Sequence, residues 1–459
     1  MLRSCFGSYL LPLLLATCLV TVAMAQETPE TGDDQVVAEF LLLLLGSEDG
    51  RQEALDFVES HWQPPFTAML LEVLTFSRDP AFTTRLIRVL EDKTGQSFGF
   101  AIDRWQQWLW SQDLSPHPAY PEFKSAFYGL IDERFEDYFG TDRPYSIRLD
   151  EVVWGGVKQD GIPPLRHPDM VTAGEAAYLS DDDVVFGLEV NGDARAYPRR
   201  ILGWHEMFVD DVGGVPVAGV YCTLCGTMIL YKTRLKGVVY QLGTSGFLYR
   251  SNKLMYDKET QSLWNTIWGK PVIGPLAASD LALERMSVVT TRWGEWRRRH
   301  PDTQVLALGT GYQRDYAEGA AYSEYFATDQ LMFQVPLLDS RLKNKDEVLG
   351  LVFPEYPGQP LAISVNYLAA HTLYQDQVGE KRFAVFTDAS GAHRVYATGV
   401  TDFKKWDGRA TVVDATGMRW TLEEAHLQAE DGRIRHRLPA HRAFWFGWFS
   451  AYNHTRLVH

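Results

Sequence analysis

From Asp34 to about Gly140, apolar residues recur at helical spacing. Val36, Val37, Phe40, Leu41 and Leu44 form one stripe, and Leu55, Val58 and Trp62 a second. Met69, Leu70, Val73 and Leu74 form a third, and Leu86, Ile87 and Leu90 a fourth. Breakers separate them at Gly46-Ser47, Pro64-Pro65, Asp79-Pro80 and Lys93-Thr94-Gly95. Short helices in such succession predict a module over residues 35–145 built of antiparallel pairs stacked as a small solenoid. Trp105, Trp108 and Trp110 read as its packing.

From Asp150 onward the period shortens. β-branched and aromatic runs alternate with Gly, Pro and Asp turns, as in Val184–Val190, Val215–Tyr221, Met228–Tyr231, Val238–Leu242 and Val305–Leu308. The fold class predicted is therefore α+β: an N-terminal helical-repeat module followed by a β-rich region. That region carries an internal echo. Val185-Phe186-Gly187-Leu188 is matched by Val348-Leu349-Gly350-Leu351, His205 by His371, Val212-Gly213 by Val378-Gly379, and Trp293 and Trp296 by Trp445 and Trp448. We read residues 150–330 and 331–459 as two copies of one unit. The Cys-x-x-Cys stretch belongs to the first copy; in its place the second has Thr387-Asp388-Ala389-Ser390-Gly391 and no cysteine.

The beginning of the chain changes the picture of where it works. Residues 1–25 read as a secretory signal peptide: Arg3 supplies the basic start, Tyr9 to Val22 the apolar run, and Ala23-Met24-Ala25 the small-residue cleavage site. Residues 26–34 are a polar, acidic tether. The expectation is an exported protein, periplasmic or extracellular, with no transmembrane segment in the mature chain. With 44 Lys and Arg against 59 Asp and Glu, the formal net charge is −15, which argues against a nucleic-acid partner. The helical module is the expected docking surface if a protein partner exists.

Of the four cysteines, Cys5 and Cys18 fall in the leader, so Cys222 and Cys225 are the pair that remains. They stand in Tyr221-Cys222-Thr223-Leu224-Cys225-Gly226-Thr227-Met228. The order strand, Cys-x-x-Cys-Gly, strand is a knuckle that aims two sulfurs at one spot and relies on Gly226 for the turn. Completed by His205, from Trp204-His205-Glu206, and by Met228, the pair becomes a soft donor set that favours copper, with zinc as the alternative. The same spacing serves a thiol-disulfide oxidoreductase, or a structural disulfide in a non-enzymatic ligand- or partner-binding module. Trp204, Glu206, Tyr221, Ser245, Tyr256 and Asp257 are the candidate pocket residues. Nucleophile-elbow, phosphate-loop, dinucleotide and His-Glu-x-x-His patterns are absent from the sequence.

Five segments taken together resemble a known family. Asp160-Gly161-Ile162-Pro163-Pro164-Leu165, Ala194-Arg195-Ala196-Tyr197-Pro198, Trp204-His205-Glu206, Tyr221-Cys222-Thr223-Leu224-Cys225-Gly226-Thr227 and Leu254-Met255-Tyr256-Asp257 follow in order the signature of the domain-of-unknown-function family 3179. Thr223 stands where that family commonly has Pro. The resemblance spans about residues 150–455 and implies a fold unit and a site at Cys222, Cys225 and His205. It implies no reaction, and whether the protein is an enzyme stays open.

Overall fold

The computed structural model describes residues 32–459. The signal peptide read at 1–25 and most of the tether lie outside the described residues. Six helices come first: Asp33–Leu45, Glu48–Ser60, Phe66–Phe76, Pro80–Thr94, Ile102–Ser111 and Tyr120–Gly129. Asp33 and Asp34, read as the end of the tether, form the first turn of the first helix, where carboxylates meet the positive end of the helix dipole.

The breakers act as caps. Ser47 Oγ accepts from the Gly50 N–H, and Asp79 accepts from the N–H groups of Ala81 and Phe82 while Pro80 opens the helix. Gly95 closes that helix in the left-handed conformation, at φ 70°. The first helix packs on the second and the third on the fourth, and the third also touches the first and the fifth. Phe66–Phe76 is apolar nearly all round and buries eight of its eleven residues, so it sits at the centre with the helices Asp33–Leu45, Pro80–Thr94 and Ile102–Ser111 packed about it. Its core continues without a break into Phe247, Tyr249, Leu254, Tyr256, Leu263, Val272 and Ile273 of the following region. The helical apolar face is thus covered by the chain's own sheet.

The β-rich region builds several sheets. One has the strand order Val152–Trp154, Leu242–Tyr249, Asn252–Asp257, Leu263–Asn265, Lys270–Ile273 and carries the helices on one face. A second has the order Glu284–Met286, Thr227–Lys232, Val215–Cys222, Met207–Val212, Leu165–Arg166. The stretch Val238–Leu242, read as one strand, is divided. Val238–Val239 turns back on Arg234–Leu235 through Lys236 and Gly237, both at positive φ, and Leu242 opens the next long strand.

Two further sheets have like construction. In one, Val289–Arg292, Val184–Val190, Asp193–Pro198 and Gln304–Leu306 lie side by side, the last pair parallel. In the other, His441–Phe444, Glu347–Leu351, Leu361–Ser364 and Arg456–Val458 do the same, again with the last pair parallel. The eight-stranded remainder runs from Leu373 to Leu438. A common core joins the halves: Met207, Ala218, Val220 and Ile229 pack with Val348, Ala362, Ala443, Trp445 and Trp448. Among the described residues, no helix is long and apolar enough to cross a membrane.

Candidate functional site

The cysteines occupy the turn of the hairpin Val215–Cys222 and Thr227–Lys232, where Cys222 pairs with Thr227. The Cys225 N–H reaches the Cys222 carbonyl at 3.2 Å and the Gly226 N–H the Thr223 carbonyl at 3.3 Å, which winds the loop tightly. Gly226 is required twice over. Its φ is 57°, and a Cβ there would lie 2.9 Å from the Phe444 ring. The other half of the β region clamps the loop: the Phe444 N–H donates to the Cys225 carbonyl at 2.7 Å, and Gly447 approaches so closely that a Cβ on it would sit 3.0 Å from the Cys225 Cβ. From above, the Tyr325 hydroxyl donates to the Leu224 carbonyl at 2.8 Å. Both thiols are free and buried, among Leu224, Leu248, Tyr325, Val335 and Phe446.

Beneath the thiols lies a buried ion pair. Glu206 ends the helix Arg199–His205 in the left-handed conformation, at φ 56°, which turns its side chain inward. One carboxylate oxygen accepts from the Thr223 hydroxyl at 2.7 Å and the Tyr322 hydroxyl at 3.1 Å; the other is bonded to the Lys253 ammonium. Glu206 and Lys253 are 4% and 6% exposed, so removing either would leave the other without its charge partner away from water.

This setting splits the two thiols. Burial by itself pushes Cys222 up. The neighbouring Cys225 thiol, the Lys253 backbone N–H and the Lys253 ammonium outweigh burial and the opposing Glu206 charge, leaving Cys222 below the ordinary thiol value. Burial, then the hydrogen bond and charge of Cys222, drive Cys225 well above it. Cys225 points its S–H at the Ser251 carbonyl, 3.3 Å away. The two thiols are thus unequal, Cys222 being the more acidic.

The structure gathers Cys222, Cys225 and Glu206, with Tyr221 next to them, and separates the rest of the expected set. His205 points away: its Nδ1 is bonded to the Pro163 carbonyl at 2.8 Å and its Nε2 to the Tyr316 hydroxyl at 2.6 Å, and burial lowers its basicity. Met228 pairs across from Tyr221, one residue out of phase with Cys222, so it packs on the opposite face of the hairpin with Tyr221 and Leu230. The four-donor set of Cys222, Cys225, His205 and Met228 is therefore not assembled around one point. Among the described residues, no three His, Cys, Asp or Glu side chains cluster as metal ligands.

Several candidate pocket residues are held in the framework. Trp204 donates to the Asp315 carbonyl, Ser245 to the Leu254 carbonyl and Tyr256 to Asp160, while Asp257 accepts from the Trp264 indole and from Thr260. Sequence reasoning missed Lys253, Tyr322 and Tyr325. Lys253 had a legible signal: it is the one cation in a strand, Asn252–Asp257, that is buried at every position.

A cleft of about 550 Å³ adjoins the loop. Tyr221, Gly226, Phe326 and Phe444 line it together with the cations Arg199, Arg200, Lys345 and Arg442 and the carboxylates Glu318 and Glu347. It is therefore aromatic and net basic, on a chain that is acidic overall.

A β-rich fold with a free, buried dithiol in a hairpin turn defines the class by architecture. The family follows from a match over residues 159–455 to the family described as Protein of unknown function (DUF3179), and the chain belongs to that family. No curated protein and no solved structure matches the chain.

Proposed function

We propose that the protein is a thiol-disulfide oxidoreductase that works through Cys222 and Cys225. The observation that carries the reading is two free thiols wound into one tight turn beside the Glu206–Lys253 ion pair, a setting that makes Cys222 the more acidic of the two. Cys222 opens no helix of its own, and the N–H and ammonium of Lys253 act on its sulfur instead.

In the proposed step, the Cys222 thiolate attacks one sulfur of a substrate disulfide. The S–S bond breaks, a mixed disulfide forms and one substrate thiolate leaves. Cys225 then loses its proton and attacks the Cys222 sulfur. This releases the second substrate thiolate and leaves a Cys222–Cys225 disulfide. The substrate gains two electrons and its two thiolates take up the protons the cysteines gave up. The basic cleft beside Gly226 favours disulfides flanked by carboxylates.

The reduced protein should therefore react with oxidised glutathione. Cys225→Ser should accumulate a mixed disulfide at Cys222, seen by mass spectrometry, and Cys222→Ser should accumulate none. Trapping on neither protein, or equally on both, would refute the assignment. A second reading, copper held between the two thiols with zinc as the alternative, is favoured by their adjacent burial. Elemental analysis with a thiol count separates the two readings, since a metal dithiolate blocks alkylation without forming a disulfide.

Two finer readings belong with the proposal. Export is supported by the leader at residues 1–25. Duplication is supported by matched detail in the two halves. Gly187 and Gly350 each leave room for a tryptophan, Trp296 and Trp448, at 2.3 Å and 2.1 Å from where a Cβ would stand. Those indoles donate to Thr303 and Thr455, at 2.9 Å and 3.0 Å. The paired histidines differ, however: His205 is buried and His371 exposed.

A further inference from the structure

Met228 has a setting of its own. It lines a small cavity at the seam of the two halves, with Val288 and Thr290 from the first half and Leu349, His393, Ala440, His441 and Arg442 from the second. The cavity offers about 10 Å³, room for one water or one ion. His393 and His441 are each 6% exposed, and the Nε2 of each is buried without a hydrogen-bond partner. Two orphaned ring nitrogens and a thioether on one atom-sized space form a ligand set seeking an occupant.

We propose that Met228, His393 and His441 hold one copper(I) ion across the seam. The chemistry selects that ion. A thioether is a soft donor that hard cations and zinc use poorly, whereas two imidazoles and a thioether suit copper(I). All three donors are neutral, and Arg442 lies on the same cavity, so a monovalent ion costs less there than a divalent one. The Arg442 charge is partly engaged by Glu347 at 3.1 Å. The second shell suits the role as well. His393 Nδ1 lies 3.0 Å from the Thr387 hydroxyl; with the proton on Nδ1 donated to that oxygen, the Nε2 lone pair remains for the metal.

This site is independent of the dithiol, and its test is built to stay so. The Cys222→Ser, Cys225→Ser protein is titrated with copper(I) under nitrogen against bicinchoninate, and the loaded protein is examined by X-ray absorption. One equivalent should bind, with two imidazole nitrogens and one sulfur around the copper. Met228→Leu, a change of nearly equal volume that leaves the fold intact by circular dichroism, should bind at least ten-fold more weakly and lose the sulfur scatterer. Failure of the double-serine protein to retain copper would overturn the proposal, as would unchanged affinity in Met228→Leu. Retention by the wild type alone would place the metal at the thiols.

Discussion

Replacing Lys253 by Met tests the electrostatics of the dithiol loop most directly. Lys253 and Glu206 are both more than nine-tenths buried, and the ammonium is the charge partner of the carboxylate. Removing one member of such a pair strands the other, at a cost of about 3–5 kcal/mol. Glu206 keeps its bonds from Thr223 and Tyr322, so we place the loss near the lower end, about 3 kcal/mol. Adding Glu206→Gln removes the stranded charge, and the double variant should regain at least about 1.5 kcal/mol over Lys253→Met, a coupling in the range expected of contacting residues. The thiol must respond with matching signs. Lys253 lowers Cys222 and Glu206 raises it. Lys253→Met should therefore move the midpoint of Cys222 alkylation to higher pH, and the double variant should return it toward the wild type. Urea unfolding followed by tryptophan fluorescence reads the first effect, and mass-spectrometric alkylation rates against pH read the second. A double variant no more stable than Lys253→Met, or an unmoved Cys222 midpoint, would refute the reasoning.

Three further outcomes follow from the same geometry. Tyr325→Phe removes the hydroxyl that ties the overlying segment to the Leu224 carbonyl; losing about 1 kcal/mol of local closure should speed modification of the buried thiols roughly five-fold, measured with an aromatic disulfide reagent. Gly187→Ala and Gly350→Ala push a methyl into Trp296 and Trp448 and should each destabilise by about 1–3 kcal/mol, while Gly358→Ala, which meets nothing within 4 Å, should be near neutral in the same urea assay. Gly226→Ala combines a left-handed φ with a contact on Phe444 and should cost about 1–3 kcal/mol while slowing any reaction of Cys222, read by mixed-disulfide yield.

What was legible in the sequence was local. Helix ends at Ser47, Asp79 and Gly95 are set by capping atoms a few residues away, so pattern alone placed them. The knuckle was legible for the same reason, since Cys222, Cys225 and Gly226 make their own turn. The donors read around it were not local. His205 stands one strand before the hairpin in the chain but takes its partners from Pro163 and Tyr316, and nothing in its neighbouring sequence announces either. Met228 lies only three residues past Cys225, yet the strand period of two turns it to the other face. The charge that tunes the thiols comes from Lys253, on a strand of a different sheet.

The seam between the halves gives the thiols their place. The loop after Val215–Cys222 reaches across to Phe444 and Gly447, at the junction of the strand His441–Phe444 and the helix Trp445–Ala451. In the second half, the loop between Lys381–Thr387 and His393–Ala397 reaches back to the junction of Val289–Arg292 and Trp293–Arg299: Ser390 meets the Thr291 hydroxyl at 3.1 Å, and Arg299 lies 3.6 Å from Asp388. Each half thus sets a hairpin turn against a strand–helix junction of the other, a reciprocity that the proposed duplication would require. The contents of the two turns differ. Asp388 is tied to the N–H groups of Ser390 and Ala392 and to Arg394, which also grips Glu424. Such a closed, buried ion network holds a turn rigid and leaves it no reactive group. The turn in the first half holds two free cysteines and no such network, and the charges nearest it are Glu206 and Lys253. The first loop takes its support instead from across the seam, where Phe444 and Gly447 hold it by backbone bond and close packing, so neither cysteine side chain of the loop is tied up in an ion network.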